Sequence, residues 1–321
     1  MFTYDGNLCL DRCGLWLDAR SAKPVGFISH AHSDHIAKHG EILATRETLR
    51  LCQHRLGGKR PGHVLQPGEA MVLGDIRITV YPAGHVLGSA MLLAESDAGS
   101  LLYTGDFRLK PARTCAPAEV PQADILIMES TYGHPRYRFP DRREVEADFL
   151  ATVRQALDRG VTPIIFVYSL GKAQEATKLL TEARVPVMVH EQIAQVNRLY
   201  EELGVPLGEY ASWDPNMIGR HAVLVPPAAR HGKTLHRLRQ RLTIQLTGWA
   251  MDRGSTYRMD VDRCFPFSDH ADFDELFEVV RRVNPRRVYC THGPVAFVKE
   301  LQYAGWDARA LGASFHQPML F

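Results

Sequence analysis

Residues 27–35, Phe-Ile-Ser-His-Ala-His-Ser-Asp-His, constrain this chain more than any other segment. Three imidazoles and a carboxylate fall within six residues, at His30, His32, Asp34 and His35. The apolar run 25–28 ahead of them reads as a buried strand ending in a loop. Neutral imidazoles with carboxylates form the ligand set that suits zinc, manganese or ferrous iron. Ligand types at i, i+2, i+4 and i+5 of one short loop cannot comfortably meet at one ion. They can meet two and two. The spacing therefore predicts a binuclear hydrolytic site, in which two metals activate water and stabilise developing phosphoryl charge. A solvated histidine-rich loop is the plain alternative, and for a single His pair it would win. For HxHxDH at a strand end, the metal reading outweighs it.

A chain of 321 residues can bury a large core, as two domains or one large α/β unit. Its 45% apolar and 23% charged residues are ordinary for a soluble globular protein. A net charge of +2 does not announce a nucleic-acid binder, so any grip on an acidic polymer falls to a local basic stripe. Residues 1–10 lack a basic stretch followed by an apolar one, so no secretory signal is expected. No apolar run approaches the roughly 20 residues that span a bilayer. The six cysteines are scattered, without the density of a disulfide framework. Reduced thiols, a cytoplasmic location and no membrane partner are the expectation.

The first 130 or so residues carry short strands and turns. In 72–81, Gly-Asp between two apolar runs signals a hairpin. Residues 90–94 and 101–104 read as a second strand pair, and 125–128 as a buried strand. Then the texture changes. Residues 143–159 have helical periodicity through Val145, Phe149, Val153 and Leu157. Strands at 163–168 and 185–189 flank a helix at 172–182, with further strands at 222–225 and 242–246. This alternation indicates a small parallel α/β unit. After Gly248 a hairpin-like texture is expected to return, before a helix at 272–283 and a strand at 287–290.

Further ligand types also follow predicted strands. His85 lies in Ala-Gly-His-Val-Leu-Gly-Ser-Ala (83–90), Asp106 in Thr-Gly-Asp-Phe (104–107), and His292 in Thr-His-Gly (291–293). A carboxylate at 106 can bridge two metals, which a histidine cannot do. Each alone is more simply a turn residue. The case rests on one topological position recurring with a ligand-type side chain.

These ordered motifs resemble those of the metallo-β-lactamase superfamily. Residues 265–276 (FPFSDHADFDEL) and 129–133 (ESTYG) narrow the resemblance to the β-CASP nucleases, whose members include pre-mRNA 3′-end cleavage nucleases, ribonucleases and the DNA nuclease Artemis. FISHAHSDH, PAGHVLGSA, YSLGKAQE and TGWA look most like the bacterial ligase-associated DNA exonucleases. The resemblance spans essentially the whole chain. It implies an α/β fold, a metallo-β-lactamase αββα sandwich in two parts, 1–132 and 255–321, interrupted by a small parallel α/β insert at 133–254.

The resemblance also implies a site. His30, His32 and His85 would hold one divalent ion, and Asp34, His35 and His292 another, with Asp106 bridging. Zinc is the expected metal and manganese the alternative. Asp18 matches the first family motif and is expected behind the ligands, accepting hydrogen bonds around the attacking water. A turn-surface Asp is its plain alternative. His270 matches the mobile β-CASP histidine, and Glu129 its acidic partner. A carboxylate beside an imidazole favours imidazolium and fixes the ring, which suits His270 as the general acid for the leaving oxygen. Contact with substrate phosphate is the lesser role for it.

Substrate grip is expected from the insert. Ser169, Gly171 and Lys172 open the helix 172–182, where unpaired N–H groups favour an anion; a plain capped helix is the alternative. The basic run 230–241, with Arg230, Lys233, Arg237, Arg239 and Arg241, is either a polynucleotide groove or a solvated face. Trp249 is either a base-stacking platform or a buried hinge. The expected activity is a DNA exonuclease in DNA repair, with an ATP-dependent DNA ligase and a helicase as partners. A ribonuclease in RNA processing is the alternative, and His292 favours it, because Artemis-type DNA enzymes usually lack a histidine there. A non-catalytic RNA-processing scaffold would need missing ligands, and none is missing. A lactamase or thioesterase would not need the insert.

Overall fold

The structure is a computed structural model that describes all residues except 1, 59, 215, 216, 218, 231, 233–237, 239 and 313–321. The chain divides into two compact units. Among the described residues, one contains those up to Tyr137 and those from His270 onward; the other runs Arg138–Asp269.

The first unit holds two sheets. In one, strands Phe2–Tyr4, Leu8–Leu10, Leu15–Leu17, Val25–Phe27, Glu41–Ala44 and Gly62–Val64 lie side by side in chain order. In the other, the spatial order is Ala308–Ala310, Arg287–Thr291, Ile125–Glu129, Gly99–Tyr103, Ala90–Ser96, Ile76–Pro82 and Ala70–Leu73. The hairpin expected in 72–81 is present as Ala70–Leu73 with Ile76–Pro82, and the strand pair expected at 90–94 and 101–104 as Ala90–Ser96 with Gly99–Tyr103, both antiparallel. The sheets face each other through Leu10, Leu15, Phe27 and Leu43 on one side and Ile78, Leu92, Leu101 and Ile127 on the other. Removing this apolar surface from water is the main force joining them. The outer face of the second sheet is covered by helices Phe273–Val283 and Val295–Tyr303, through Leu276, Val280, Phe297 and Leu301. Helix Arg46–Leu56 buries Leu51 and Cys52 beside the first sheet. The layers are therefore helix, sheet, sheet, helix: the αββα sandwich.

Two helix starts fix loops of the site. Thr45 caps helix Arg46–Leu56, and the Thr45 and Thr48 hydroxyls donate to the Gly88 carbonyl at 2.7 and 2.9 Å. Gly88 has φ +79°, and a Cβ there would stand 2.6 Å from Glu47 Cβ, so only glycine lets the loop 83–90 come this close. Helix Phe273–Val283 opens with a capping box. Asp272 accepts from the Asp274 and Glu275 amides, and Glu275 Oε2 accepts from the Asp272 amide at 3.0 Å. Glu275 Oε1 also accepts from the Leu109 and Lys110 amides at 2.9 and 2.7 Å. One side chain thus ties the loop after Asp106 to the helix that follows His270.

The second unit is a six-stranded parallel sheet in the order Ala211–Ser212, Val187–Val189, Ala222–Val225, Thr162–Phe166, Arg241–Leu246, Arg263–Phe265. Its central strand Thr162–Phe166 is buried throughout, as parallel sheets covered on both faces require. Helices Arg142–Asp158, Lys172–Glu182 and Glu191–Glu202 pack with it around Phe149, Ile165, Leu180 and Ile193. Here the expectation for the segment after Gly248 is corrected. It forms a 3₁₀ turn, Gly248–Met251, a short helix, Ser255–Arg258, and then strand Arg263–Phe265, which pairs parallel to Arg241–Leu246. A parallel partner cannot be reached by a hairpin, so the chain must cross over. This strand carries the second unit past residue 254, to Asp269.

Candidate metal centre

Strand directions explain why the ligand types converge. Strands Gly99–Tyr103, Ile125–Glu129 and Arg287–Thr291 are parallel, and two antiparallel steps make Ile76–Pro82 run the same way. Their carboxyl ends therefore deliver His85, Asp106, Glu129 and His292 to one edge. Strands Leu15–Leu17 and Val25–Phe27 of the facing sheet are parallel to each other and end at Asp18 and at the His30–His35 loop.

His30, His32, His85 and Asp106 bring ligand atoms within 4.8 Å of one another, as do His35, Asp106 and His292. Asp106 Oδ2 belongs to the centre of the array: it lies 3.4 Å from His30 Nε2, 3.4 Å from His35 Nε2 and 3.9 Å from His85 Nε2. His32 Nδ1 and His85 Nε2 are 3.1 Å apart. Asp34 is at the rim, its side chain 43% exposed and its Oδ2 3.8 Å from His35 Nε2.

The fit to divalent ions rests on the donor set and on one atom. His30 Nε2 is buried and has no hydrogen-bond partner, yet it points toward a carboxylate shared with three other imidazoles. Burial, reinforced by the His35, His85 and His32 rings, holds His30 well below its ordinary pKa. Burial, then His35, also lower His292. Both are therefore neutral, the form that ligates metal. Burial opposes charge on Asp106 as well, but His35, His270 and His30 outweigh it and hold the carboxyl well below its usual range. For His35, burial is outweighed by Asp106 and Asp18, which raise it well above its ordinary value.

Asp18 stands behind the ligands. Its Oδ1 accepts from the Ser29 amide at 2.7 Å. Its Oδ2 accepts from the Ser29 hydroxyl at 2.5 Å, His35 Nδ1 at 2.8 Å and the Tyr103 hydroxyl at 2.8 Å. These bonds place Asp18 behind the ligand-type residues, as an acceptor that orients them. Its backbone is left-handed, φ 44°, as is that of His292, φ 51°. Such conformations in non-glycine residues cluster where geometry is over-determined by the surroundings. Tyr103 and Ser29 carried no periodic or spacing signal, although Ser29 adjoins the first ligand. Arg20 was also not anticipated; its guanidinium donates to His292 Nε2 at 3.3 Å.

Glu129 and His270 do meet. His270 Nδ1 lies 2.9 Å from Oε1 and 3.2 Å from Oε2. Glu129 is itself held by the Phe107 amide, which donates to Oε1 at 3.0 Å. The His270 and His85 rings are 4.6 Å apart, so the pair adjoins the ligand array.

In the second unit, Thr162–Phe166 and Arg241–Leu246 are adjacent, but their next strands lie on opposite sides. This is a topological switch point, where ligands of open α/β sheets bind beyond the strand ends. Ser169, Gly171 and Lys172 follow the first strand, and Trp249 the second. Their internal bonds reduce what they offer a phosphate. Gly171 donates its amide to Gln174 Oε1 at 2.7 Å, and the Ser169 carbonyl accepts from Gln174 Nε2 at 2.9 Å. Lys172 is buried, its ammonium 2.6 Å from Asp269, so its charge is already matched. Trp249 is half-buried and packs on the unit's own core. In the basic run, Lys233, Arg237 and Arg239 lie outside the described residues. Arg230 turns inward, its guanidinium 4.5 Å from the Phe166 ring and donating to Gln245 Oε1 at 3.0 Å. These contacts pack it against the second unit's own strands.

Residues 258–311 match the model of a Zn-dependent metallo-hydrolase RNA specificity domain. A protein of Opitutus terrae named a probable DNA ligase is 41% identical over 96% of this chain and 31% of its own length. The 5′ exonuclease Apollo of Gallus gallus is 30% identical over 91% of this chain and 64% of its own. RNase aCSPSF2 of Saccharolobus solfataricus is 30% identical over 54% of this chain and 42% of its own. The chain thus spans less than two thirds of each of these relatives.

Proposed function

The chain belongs to the β-CASP branch of the metallo-β-lactamase superfamily, and we propose that it is a metal-dependent phosphodiesterase that trims DNA from an end. The observation that carries hydrolysis is the convergence of His30, His32, His85, His35 and His292 on Asp106. In this reading His30, His32 and His85 would hold one divalent ion, and His35, His292 and Asp34 another, with Asp106 available to either. Zinc is the metal the matched domain's description favours. Bound there, two such ions would acidify water for attack and neutralise charge growing on a phosphoryl group.

The chain's own residues supply the rest. Asp18, accepting the hydrogen bond of His35 Nδ1–H, turns that ring's Nε2 toward Asp106. Glu129 holds His270 through Nδ1, fixing the plane in which Nε2 presents a proton to the leaving oxygen. Ser169, the Gly171 backbone, Lys172 and Trp249, at the switch point of the second unit, are the proposed nucleic-acid contacts. Of these, Ser169 and Trp249 fit the role better than the buried Lys172.

DNA is favoured because the relative aligned over 96% of this chain is named a probable DNA ligase, whereas RNase aCSPSF2 aligns over 54% of it. That the ligase-named relative is about three times as long suggests joint action with a DNA ligase, whose substrate is a trimmed end. A ribonuclease is the second reading, supported by the RNA specificity description and by a histidine at 292.

Incubating zinc- or manganese-loaded protein with end-labelled single-stranded DNA and matched RNA tests the proposal. A ladder shortening from one end of the DNA, lost in Asp106→Ala and His32→Ala, is expected. Wild-type turnover with undiminished metal in those variants overturns the site; preferential RNA cleavage overturns the substrate.

A further inference from the structure

We propose that Ser29 is a positioning residue that couples the two ion subsites through Asp18. The inference rests on the reading of the site as a two-ion centre. A serine hydroxyl carries one proton and a carboxylate only accepts. Ser29 Oγ lies 2.5 Å from Asp18 Oδ2 and 3.0 Å from His30 Nδ1. The hydroxyl proton therefore goes to Asp18, and His30 Nδ1 must carry its own proton and donate it to Ser29 Oγ. His30 is thereby fixed in the tautomer whose lone pair sits on Nε2, the buried atom without a hydrogen-bond partner, 3.4 Å from Asp106.

His35 is set by the same carboxylate, directly. Its Nδ1 is 2.8 Å from Asp18 Oδ2, and its Nε2 is 3.4 Å from Asp106 Oδ2. Two histidines assigned to different ions thus take their tautomers from one Asp, one directly and one through a hydroxyl. Outer partners of this kind fix ring orientation and raise ligand basicity.

The surroundings are built to hold the hydroxyl there. The Ser29 amide donates to Asp18 Oδ1 at 2.7 Å, and its carbonyl accepts from the Ala90 amide at 2.9 Å. Gly105 has φ +53°, and a Cβ there would stand 2.4 Å from Ser29 Oγ. Glycine just ahead of the bridging Asp106 thus makes room for the relay. Tyr103 gives an internal contrast: its hydroxyl donates to the same Asp18 Oδ2 at 2.8 Å, and no hydrogen bond of Tyr103 reaches His30.

The test is metal binding, measured on chelator-stripped full-length protein by zinc calorimetry and by cobalt absorption. Wild type should load two ions. Ser29→Ala should weaken both by about 10- to 100-fold, and Tyr103→Phe only one. Imidazole ¹⁵N shifts of His30 should report a single tautomer in wild type and a mixture in Ser29→Ala. Gly105→Ala, which keeps the hydroxyl but displaces it, should mimic Ser29→Ala and serves if that variant does not fold. Wild-type affinity at both subsites in Ser29→Ala, or loss at the same single subsite as in Tyr103→Phe, overturns the coupling. A wild-type protein that takes up no second ion overturns the two-ion reading instead.

Discussion

Lys172 offers the sharpest test of how charge is used in the second unit. Its ammonium is 2.6 Å from Asp269 Oδ1, and the two side chains are only 6% and 3% exposed. It also lies 5.4 Å from the Tyr168 ring. Replacing Lys172 with Met keeps the aliphatic stem and removes the charge. Asp269 then stays buried but loses this ion pair. Removing one member of a buried pair costs about 3–5 kcal/mol, which is about two to three and a half powers of ten in the unfolding equilibrium. Adding Asp269→Asn should recover much of that loss, because the carboxylate charge that Lys172 matched is gone. The assay is urea denaturation of the wild type, the single variant and the double variant, read by tryptophan fluorescence; Trp213 and Trp249 lie in this unit. If Lys172→Met instead keeps the wild-type midpoint while nucleic-acid affinity and its salt dependence fall, Lys172 is a phosphate contact and the ion-pair reasoning is wrong.

Four further outcomes are expected. Glu129→Gln and His270→Ala should each lower cleavage by about 10²–10⁴-fold with metal content unchanged; full turnover in either removes the general-acid role. Gly293→Ala would place a Cβ 2.0 Å from the Ser130 carbonyl oxygen, a backbone contact that cannot swing away, so the His292 loop must shift. Titration of that variant should show one ion lost before the other, and equal affinities would refute the claim. Phe149→Ala empties a fully buried site in the core of the second unit and should cost about 3–5 kcal/mol by denaturation. Finally, metal removal should expose a pH dependence. Burial notwithstanding, Asp106 and Asp18 hold His35 above its ordinary value, so its contribution to stability is complete below about pH 6.5 and is lost as pH rises through the raised value. Asp106, held low chiefly by His35, contributes above about pH 3.9 and loses that as pH falls through its depressed value. The melting temperature of stripped protein should therefore decline from neutral toward alkaline pH, and proton release should accompany loading at neutral pH. A flat profile would contradict the His35–Asp106 coupling.

Much of this was legible because it is local. The apolar runs with a turn between them in 72–81 and 90–104, the helix 172–182 and the strand–helix alternation of the insert are each written in a few adjacent residues. The same holds for the ligand types, because a metal site built on strand ends places each ligand beside an apolar run and a glycine-bearing turn. Sequence also named Glu129 and His270 through motifs, 141 residues apart. It misplaced the segment after Gly248, since a three-residue parallel edge strand has too little pattern to distinguish it from a hairpin arm.

What the sequence by itself determined is therefore the chemistry available: which imidazoles and carboxylates there are, and that they lie at the ends of strands. What only the tertiary structure decided is how each is used. Asp18 is committed to orienting its neighbours because Ser29 and His35, from one strand's end, and Tyr103, from another's, all donate to it. Lys172 and Arg230 turned inward because Asp269 and the Phe166 ring meet them there. A charged side chain has the same composition and spacing whether it faces a phosphate or a buried carboxylate. Only the positions of residues distant in the chain set the desolvation and pairing that choose between them.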